Sequence, residues 1–351
     1  MSKVNSKTWA ARLCMIVAGL TIGAQAIAAE ISGAGATFPY PVYAKWAEAY
    51  KKESDVSLNY QSIGSGGGIK QIQASTVTFG ASDKPLTSDE LAASGLIQFP
   101  MIVGGVVPVV HIPGVKPGEL TLDGPTLADI YLGDIKKWDD ARIKALNPGV
   151  KLPSTAIATV HRSDGSGTNF LFTTYLAGVS PTFKEKVGAD ASVEWPSGIG
   201  GKGNEGVASM TSQTTGAIGY VEYAYATQNK MTFVKMKNKA GEIVAPEIKT
   251  FQAAAGNADW AHAPGYYLVL VDQPGKDSWP ITGASFILMH TQAKDAAASL
   301  IALKFFDWSY RKGGALATEL DYVPLPANVV EQVEKSWSAI KANGKPVWPG
   351  H

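Results

Sequence analysis

Three times in this chain a strand-like run passes through a turn of small residues straight into a helix start: at GAGATF, at IGSGGG and at SDGSGT. A strand that feeds a helix through so tight a turn is the repeating unit of α/β folds, so this recurrence constrains the architecture more than any other feature. It also constrains the chemistry. The first N–H groups of a helix lack intrahelical partners and lie at the positive end of its dipole, so each turn can present donors to an anion.

The third turn, HRSDGSGTNF from His161 to Phe170, carries the most. Ser166 and Thr168 fall where the helix begins, and Gly165 and Gly167 leave the backbone open to close approach. Arg162 can add a bidentate guanidinium to the same anion, with Asp164 two residues on to hold it in one rotamer. Alone, such a stretch is an ordinary capped helix after a β-turn. Repeated three times with hydroxyl side chains at the turn, it can surround one small oxyanion with N–H and O–H donors.

Residues 1 to 29 read as a secretory signal peptide: Lys3, Lys7 and Arg12, the apolar run LCMIVAGLTIGA, then small residues in AQAIAAE. The run is shorter than the ~20 residues of a membrane span, and no later stretch reaches that length. No direct membrane insertion is expected. Cys14, the sole cysteine, stands at the start of the apolar run with Arg12 two residues before it, so neither a lipid anchor nor a disulfide is expected.

The formal net charge is +1, and loss of the basic leader makes the remainder slightly acidic. With no basic run, nucleic acid is not an expected partner, and any anion is held locally. The 37 glycines and 20 prolines are dispersed, with no low-complexity tract, which fits one body of many short elements.

Taken in order, EISGAGATFPYPVYAKWAEAYKK opens as a strand and becomes an amphipathic helix with Val42, Trp46, Ala47 and Tyr50 on one side. VSLNYQSI alternates as a strand and runs into GSGGG, where Ser65 occupies the place that Ser166 takes later. TVTFGASD gives a third strand with Asp83 at its end, where ligand-facing groups of open α/β sheets lie. The run QFPMIVGGVVPVVHIPG, Gln98 to Gly114, reads as a buried strand crossing between two lobes. ITGASFILMH, Ile281 to His290, reads as a second crossover. TLADIYLGDIKKWDDARIKAL is helical in pattern, and KDAAASLIALKFFDWSYRKG places Leu300, Leu303, Phe306 and Tyr310 at helical spacing. Two crossovers predict a discontinuous first lobe of residues 30–108 with 281–351, a second lobe of 109–280, and a ligand enclosed by hinge closure.

Other chemistries lack their equipment. GIGGKG, Gly198 to Gly203, matches a dinucleotide fingerprint by letter and has Glu222 about 20 residues beyond, but Pro196 interrupts its approach and the following segment is short. A loop and short helix near the cleft is expected there. No Walker A lysine is followed by Ser or Thr, there is no G-x-S-x-G, and the five histidines form no metal-binding spacing. His161, one residue from Arg162 on a strand, should face away from it. The aromatic clusters WAEAY, YVEYAYA and FFDWSY could stack on a sugar, but their helical spacing suits core.

With these residues in view, the chain resembles the periplasmic phosphate-binding proteins of bacterial phosphate ABC importers, the PstS family. The likeness runs from GAGATFPYPVYAKWA through IGSGGGIKQI, FGASDKPL, YLGDIKKWDD, RSDGSGTNFLFT, GGKGNEG and GAIGYVEYAYA to KFFDWSY. It implies a two-lobed α/β periplasmic binding protein fold with a hinged cleft, no cofactor and no metal, and membrane permease subunits as partners. Carried over by motif, it implies a phosphate site of Thr37, Phe38 through its backbone, Ser65, Asp83, Arg162, Ser166, Gly167 and Thr168, with Asp164 as the partner of Arg162. Gly66 departs from the family, where a second serine is common, and should leave its turn looser; His161 departs where a basic residue can occur. The implied function is binding without catalysis. The rival readings are a secreted enzyme of phosphoryl groups, which would need a nucleophile with a base or metals that this ligand set lacks, and a receptor for another oxyanion such as sulfate.

Overall fold

The structure, a computed structural model, describes residues 30–350. The leader peptide expected over 1–29 lies outside the described residues. The framework is a nine-stranded mixed sheet built from β1 (Glu30–Gly35), β2 (Ser57–Ser62), β3 (Phe79–Ser82), β4 (Leu96–His111), β5 (Ala158–Arg162), β6 (Ile199–Gly201), β7 (Ala217–Glu222), β8 (Thr232–Phe233) and β9 (Thr282–His290). Its order is β2, β1, β3, β9, β4, β7, β5, β6, with β8 paired beside β4.

β4 holds this order together. Its first half, Leu96 to Gly105, pairs with β9, and its second half, Val106 to His111, pairs with β7. All but two of its sixteen residues are buried, as its unbroken apolar run requires. Gly105 lies at the change of partner, where an added Cβ would stand 2.1 Å from the Phe251 ring. The second expected crossover differs: β9 lies wholly against β3 and the first half of β4. Its run is apolar throughout because both faces are covered, which imitates the signature of a crossing strand. The chain nevertheless passes beside β4 here, and Val106 N–H donates to Ile281 O at 2.8 Å.

The helices pack by the stripes read from sequence. In α1 (Tyr40–Ser54), Val42, Trp46 and Tyr50 are buried as expected, joined by Tyr43. Tyr50 meets Phe305 edge-on at 5.3 Å, and Trp46 Nε1 donates to Gly313 O at 2.8 Å, which docks α1 on the long helix Ala296–Lys312. The segment TLADIYLGDIKKWDDARIKAL is not one helix: Gly133 ends its first part in the left-handed region (φ 79°), and a second helix starts at Ala141 behind the Asp140 cap. Among the described residues, no helix is long and apolar enough to cross a membrane.

Candidate functional site

Every turn singled out from sequence follows a strand of the sheet and opens a helix. The GATFP turn joins β1 to α1. The GSGGG turn joins β2 to α2 (Ser65–Gln73), with Gly64 at φ 87° as the last residue before the helix. The third joins β5 to α3 (Gly167–Val179), and Asp83 follows β3 directly. Thr37, Phe38, Ser65, Asp83, Arg162, Ser166, Gly167 and Thr168 are all buried.

The second and third turns meet backbone to backbone. Gly66 N–H donates to Gly165 O at 2.9 Å. An added Cβ at Gly66 would sit 3.2 Å from the Gly165 Cα, so the glycine permits close contact rather than the looser turn expected. Ser65 Oγ accepts the N–H of Gly167 at 3.0 Å and that of Asp83 at 3.1 Å. Both lone pairs of this hydroxyl are thereby taken, and its proton is left to give, with Asp83 Oδ2 at 3.4 Å. Gly167, expected to aim its N–H at an anion, directs it to Ser65 here. Ser166 caps α3 by accepting from Asn169 N–H at 3.0 Å, which also leaves its proton for donation.

Arg162 and Asp164 form the expected bidentate pair, Nε to Oδ1 at 2.8 Å and Nη2 to Oδ2 at 2.6 Å. Burial raises the Asp164 pKa, but the hydrogen bonds and charge of Arg162, with the Gly203 N–H at 3.1 Å, outweigh it and hold the carboxyl below its usual range. Arg162 Nη1 remains buried with no hydrogen-bond partner. Its strand neighbour His161 turns away to stack on Trp195 at 5.3 Å, as alternation along a strand dictates.

Asp83 is the opposite pole. Oδ1 is buried and unpartnered, and burial pushes its pKa up to about 7, against the opposing pull of Ser285, Arg162 and Ser65. Ser285 sits at a register shift in β9, close enough to act on Asp83 although its own hydroxyl lacks a hydrogen bond of good geometry. Asp83 does not cap the helix starting at Ser88; Thr87 does, in a capping box with Glu90.

A fourth helix start completes the enclosure. β6 leads through Lys202 into α4 (Gly203–Gln213), where only a loop and short helix near the cleft were expected. Asn204 bonds both Thr37 and Thr168. Glu222, the acidic residue of the letter-matched dinucleotide fingerprint, caps the helix Tyr223–Gln228 through Ala224 N–H at 2.8 Å and meets Tyr322 Oη at 2.7 Å. Tyr322 donates to Phe38 O at 2.6 Å, and Tyr225 to Thr37 O at 2.7 Å. The Phe38 ring packs edge-on to Tyr322 at 6.3 Å, so its backbone is its polar part at the turn. Among the described residues, no group of three or more His, Cys, Asp or Glu is placed to hold a metal ion.

This arrangement is a buried enclosure of hydroxyl and N–H donors, with one unmatched guanidinium nitrogen and one unmatched carboxylate oxygen. A PBP superfamily domain matches residues 21–312. The phosphate-binding protein PstS of Xylella fastidiosa (strain 9a5c) is 55% identical over 310 residues, covering 88% of this chain and 85% of that protein. The phosphate-binding protein PstS of Pasteurella multocida (strain Pm70) is 52% identical over 323 residues, covering 92% and 94%. Among solved structures, a high affinity periplasmic phosphate-binding protein (PfluDING) bound with phosphate superposes with a TM-score of 0.69 at 21% identity, over 88% of this chain and 94% of that one; at that identity the likeness is one of fold. The chain therefore belongs to the PBP superfamily and, within it, to the PstS family of phosphate-binding proteins.

Proposed function

We propose that this protein binds inorganic phosphate between two lobes and delivers it, without chemical change, to the membrane subunits of a phosphate ABC importer. The observation that carries the reading is the pairing of Arg162 Nη1 and Asp83 Oδ1, both buried and unpartnered, among donor hydroxyls. A monoprotonated tetrahedral anion matches that set: its negative oxygens take the guanidinium and the hydroxyls, and its own O–H gives to the carboxylate. The ligands are Thr37, Phe38 through its backbone, Ser65, Asp83, Arg162, Ser166, Gly167 and Thr168, with Asp164 holding Arg162.

The lobes comprise 30–108 with 281–351 and 109–280, hinged where β4 changes partners beside Ile281. A cleaved leader ending near residue 29 would deliver the chain to the periplasm as a monomer. Calorimetric titration of stripped protein with phosphate, sulfate and arsenate tests the reading. One-to-one phosphate binding with no turnover of a generic phosphomonoester is expected. Preference for sulfate, or ester hydrolysis abolished by Ser65→Ala or Ser166→Ala, would overturn it.

A further inference from the structure

Asn204 is fully buried at the start of α4, and both protons of its side-chain amide are used. Nδ2 donates to Thr37 Oγ1 at 2.6 Å and to Thr168 Oγ1 at 3.2 Å, while Oδ1 accepts the backbone N–H of Glu222 at 2.9 Å. The Asn204 backbone N–H donates to the same Thr37 oxygen at 3.1 Å.

These four bonds have a direction. A backbone N–H can only donate, so Glu222 fixes which end of the amide is oxygen. The amide nitrogen is then forced toward the two threonines, and each must accept from it. A hydroxyl has two lone pairs and one proton. Thr37 has both lone pairs occupied, so its proton has to be given away, and among the described residues no acceptor for it is found. Thr168 has one lone pair filled by the same amide.

We propose that Asn204 is a positioning residue that sets the hydrogen-bond polarity of the site, making Thr37 an obligate donor to the bound anion and turning Thr168 toward donation by filling one of its lone pairs. This rests on the phosphate reading above. The consequence is for specificity: Thr37, which cannot accept, rejects any ligand bringing a proton to its position, and leaves Asp83 as the acceptor for a ligand O–H. Thr37 belongs to the turn after β1, whereas Asn204 and Thr168 come from the middle of the chain. The polarity is therefore complete only when the two parts meet.

The test is calorimetric titration with inorganic phosphate of wild type, Asn204→Ala and Asn204→Asp, and of Asn204→Ala in a Thr37→Val, Thr168→Val background, with melting curves of each ligand-free protein. Asn204→Ala should weaken phosphate binding by about 10- to 100-fold. In the double-valine background the same change should move affinity by less than about threefold, because no hydroxyl remains to be oriented. Asn204→Asp keeps the bond from Glu222 but turns the donor into an acceptor. It should bind more weakly than Asn204→Ala near neutral pH and regain affinity as pH falls and the new carboxyl takes up a proton; wild type should not show that recovery. A merely structural asparagine would cost the same in both backgrounds and give no such pH profile, and either result overturns the inference. If Asn204→Ala fails to show a melting transition, Asn204→Asp decides alone by its pH profile. Failure of wild type to bind phosphate would instead overturn the functional reading.

Discussion

Ser65 Oγ and the Gly167 backbone N–H lie 3.0 Å apart although 102 residues separate them in the chain. That bond closes the second and third turns onto each other, and it leaves no room. An added Cβ at Gly167 would stand 2.5 Å from both Ser65 Oγ and Asp83 Cβ. Gly167→Ala should therefore hold the turns apart. Phosphate affinity is expected to fall by about 5- to 150-fold, the 1 to 3 kcal/mol typical of overpacking, while the ligand-free melting temperature changes little because α3 tolerates alanine at its first position. Titration and calorimetry on one preparation check this. A large loss of ligand-free stability with unchanged affinity would mean that the contact belongs to the fold.

Arg162→Ala removes the guanidinium and leaves the half-buried Asp164 with only backbone N–H groups, of Gly203 and of its own residue, against its charge. Phosphate binding should weaken by about 2 to 5 kcal/mol, the cost of truncating one partner of a buried charge pair. Asp164→Asn only loosens the arginine and should cost less. A greater loss at 164 than at 162 would show that Asp164 contacts the ligand directly.

The site's polar poles were legible because they are local. Arg162 and Asp164 are two residues apart, Ser65 and Ser166 sit at the same place in repeated turns, and Asp83 ends a strand. Asn204, Ser285 and Tyr322 were not, because their partners are remote: Asn204 reaches Thr37 across 167 residues. A signal for Asn204 existed in GGKGN, a fourth short strand and helix start, but Pro196 and the three-residue length of β6 masked it. Ser285 depends on a register shift that an unbroken apolar run does not announce. The same run made β9 look like a crossing strand, since burial on both faces leaves no alternation to tell the two apart.

Glu222, opposite Val106 where β4 pairs with β7, is linked through Tyr322 to the turn after β1, and burial pushes its carboxyl pKa well above the usual range despite that hydrogen bond. The folded protein thus keeps a proton that the unfolded chain releases near pH 4.3. Stability then falls as pH rises above that value, since the folded state binds more protons there. Glu222→Gln mimics the neutral acid, so its melting temperature should gain on wild type as pH is raised from about 5 to about 8. A constant difference across that range would mean that Glu222 is ionised in the folded protein.

Asp83 gives the sharpest pH signature. Between its Oδ1 and the facing oxygen of a bound anion, one proton has to lie; with none, two lone pairs and two negative charges meet in a dry site. Monobasic and dibasic phosphate both bring that proton themselves, and phosphate affinity should change little from about pH 6 to 8. Sulfate brings none, so it can bind only when Asp83 supplies it. With the Asp83 pKa raised by burial to about 7 in the free protein, that supply is present below pH 7 and is lost as pH rises through it. Sulfate should compete measurably at pH about 5.5, then weaken by about tenfold per unit above 7, one pKa unit being 1.36 kcal/mol. The same burial makes ionisation costly to the ligand-free fold, so its stability falls with rising pH between the ordinary carboxyl value of 3.8 and about 7. Asp83→Asn carries a permanent N–H donor: it should bind phosphate modestly more weakly, accept sulfate at every pH, and lack that stability slope. Competition titrations at the two pH extremes on both proteins decide it, and equal rejection of sulfate by wild type at low and high pH would place the discrimination elsewhere.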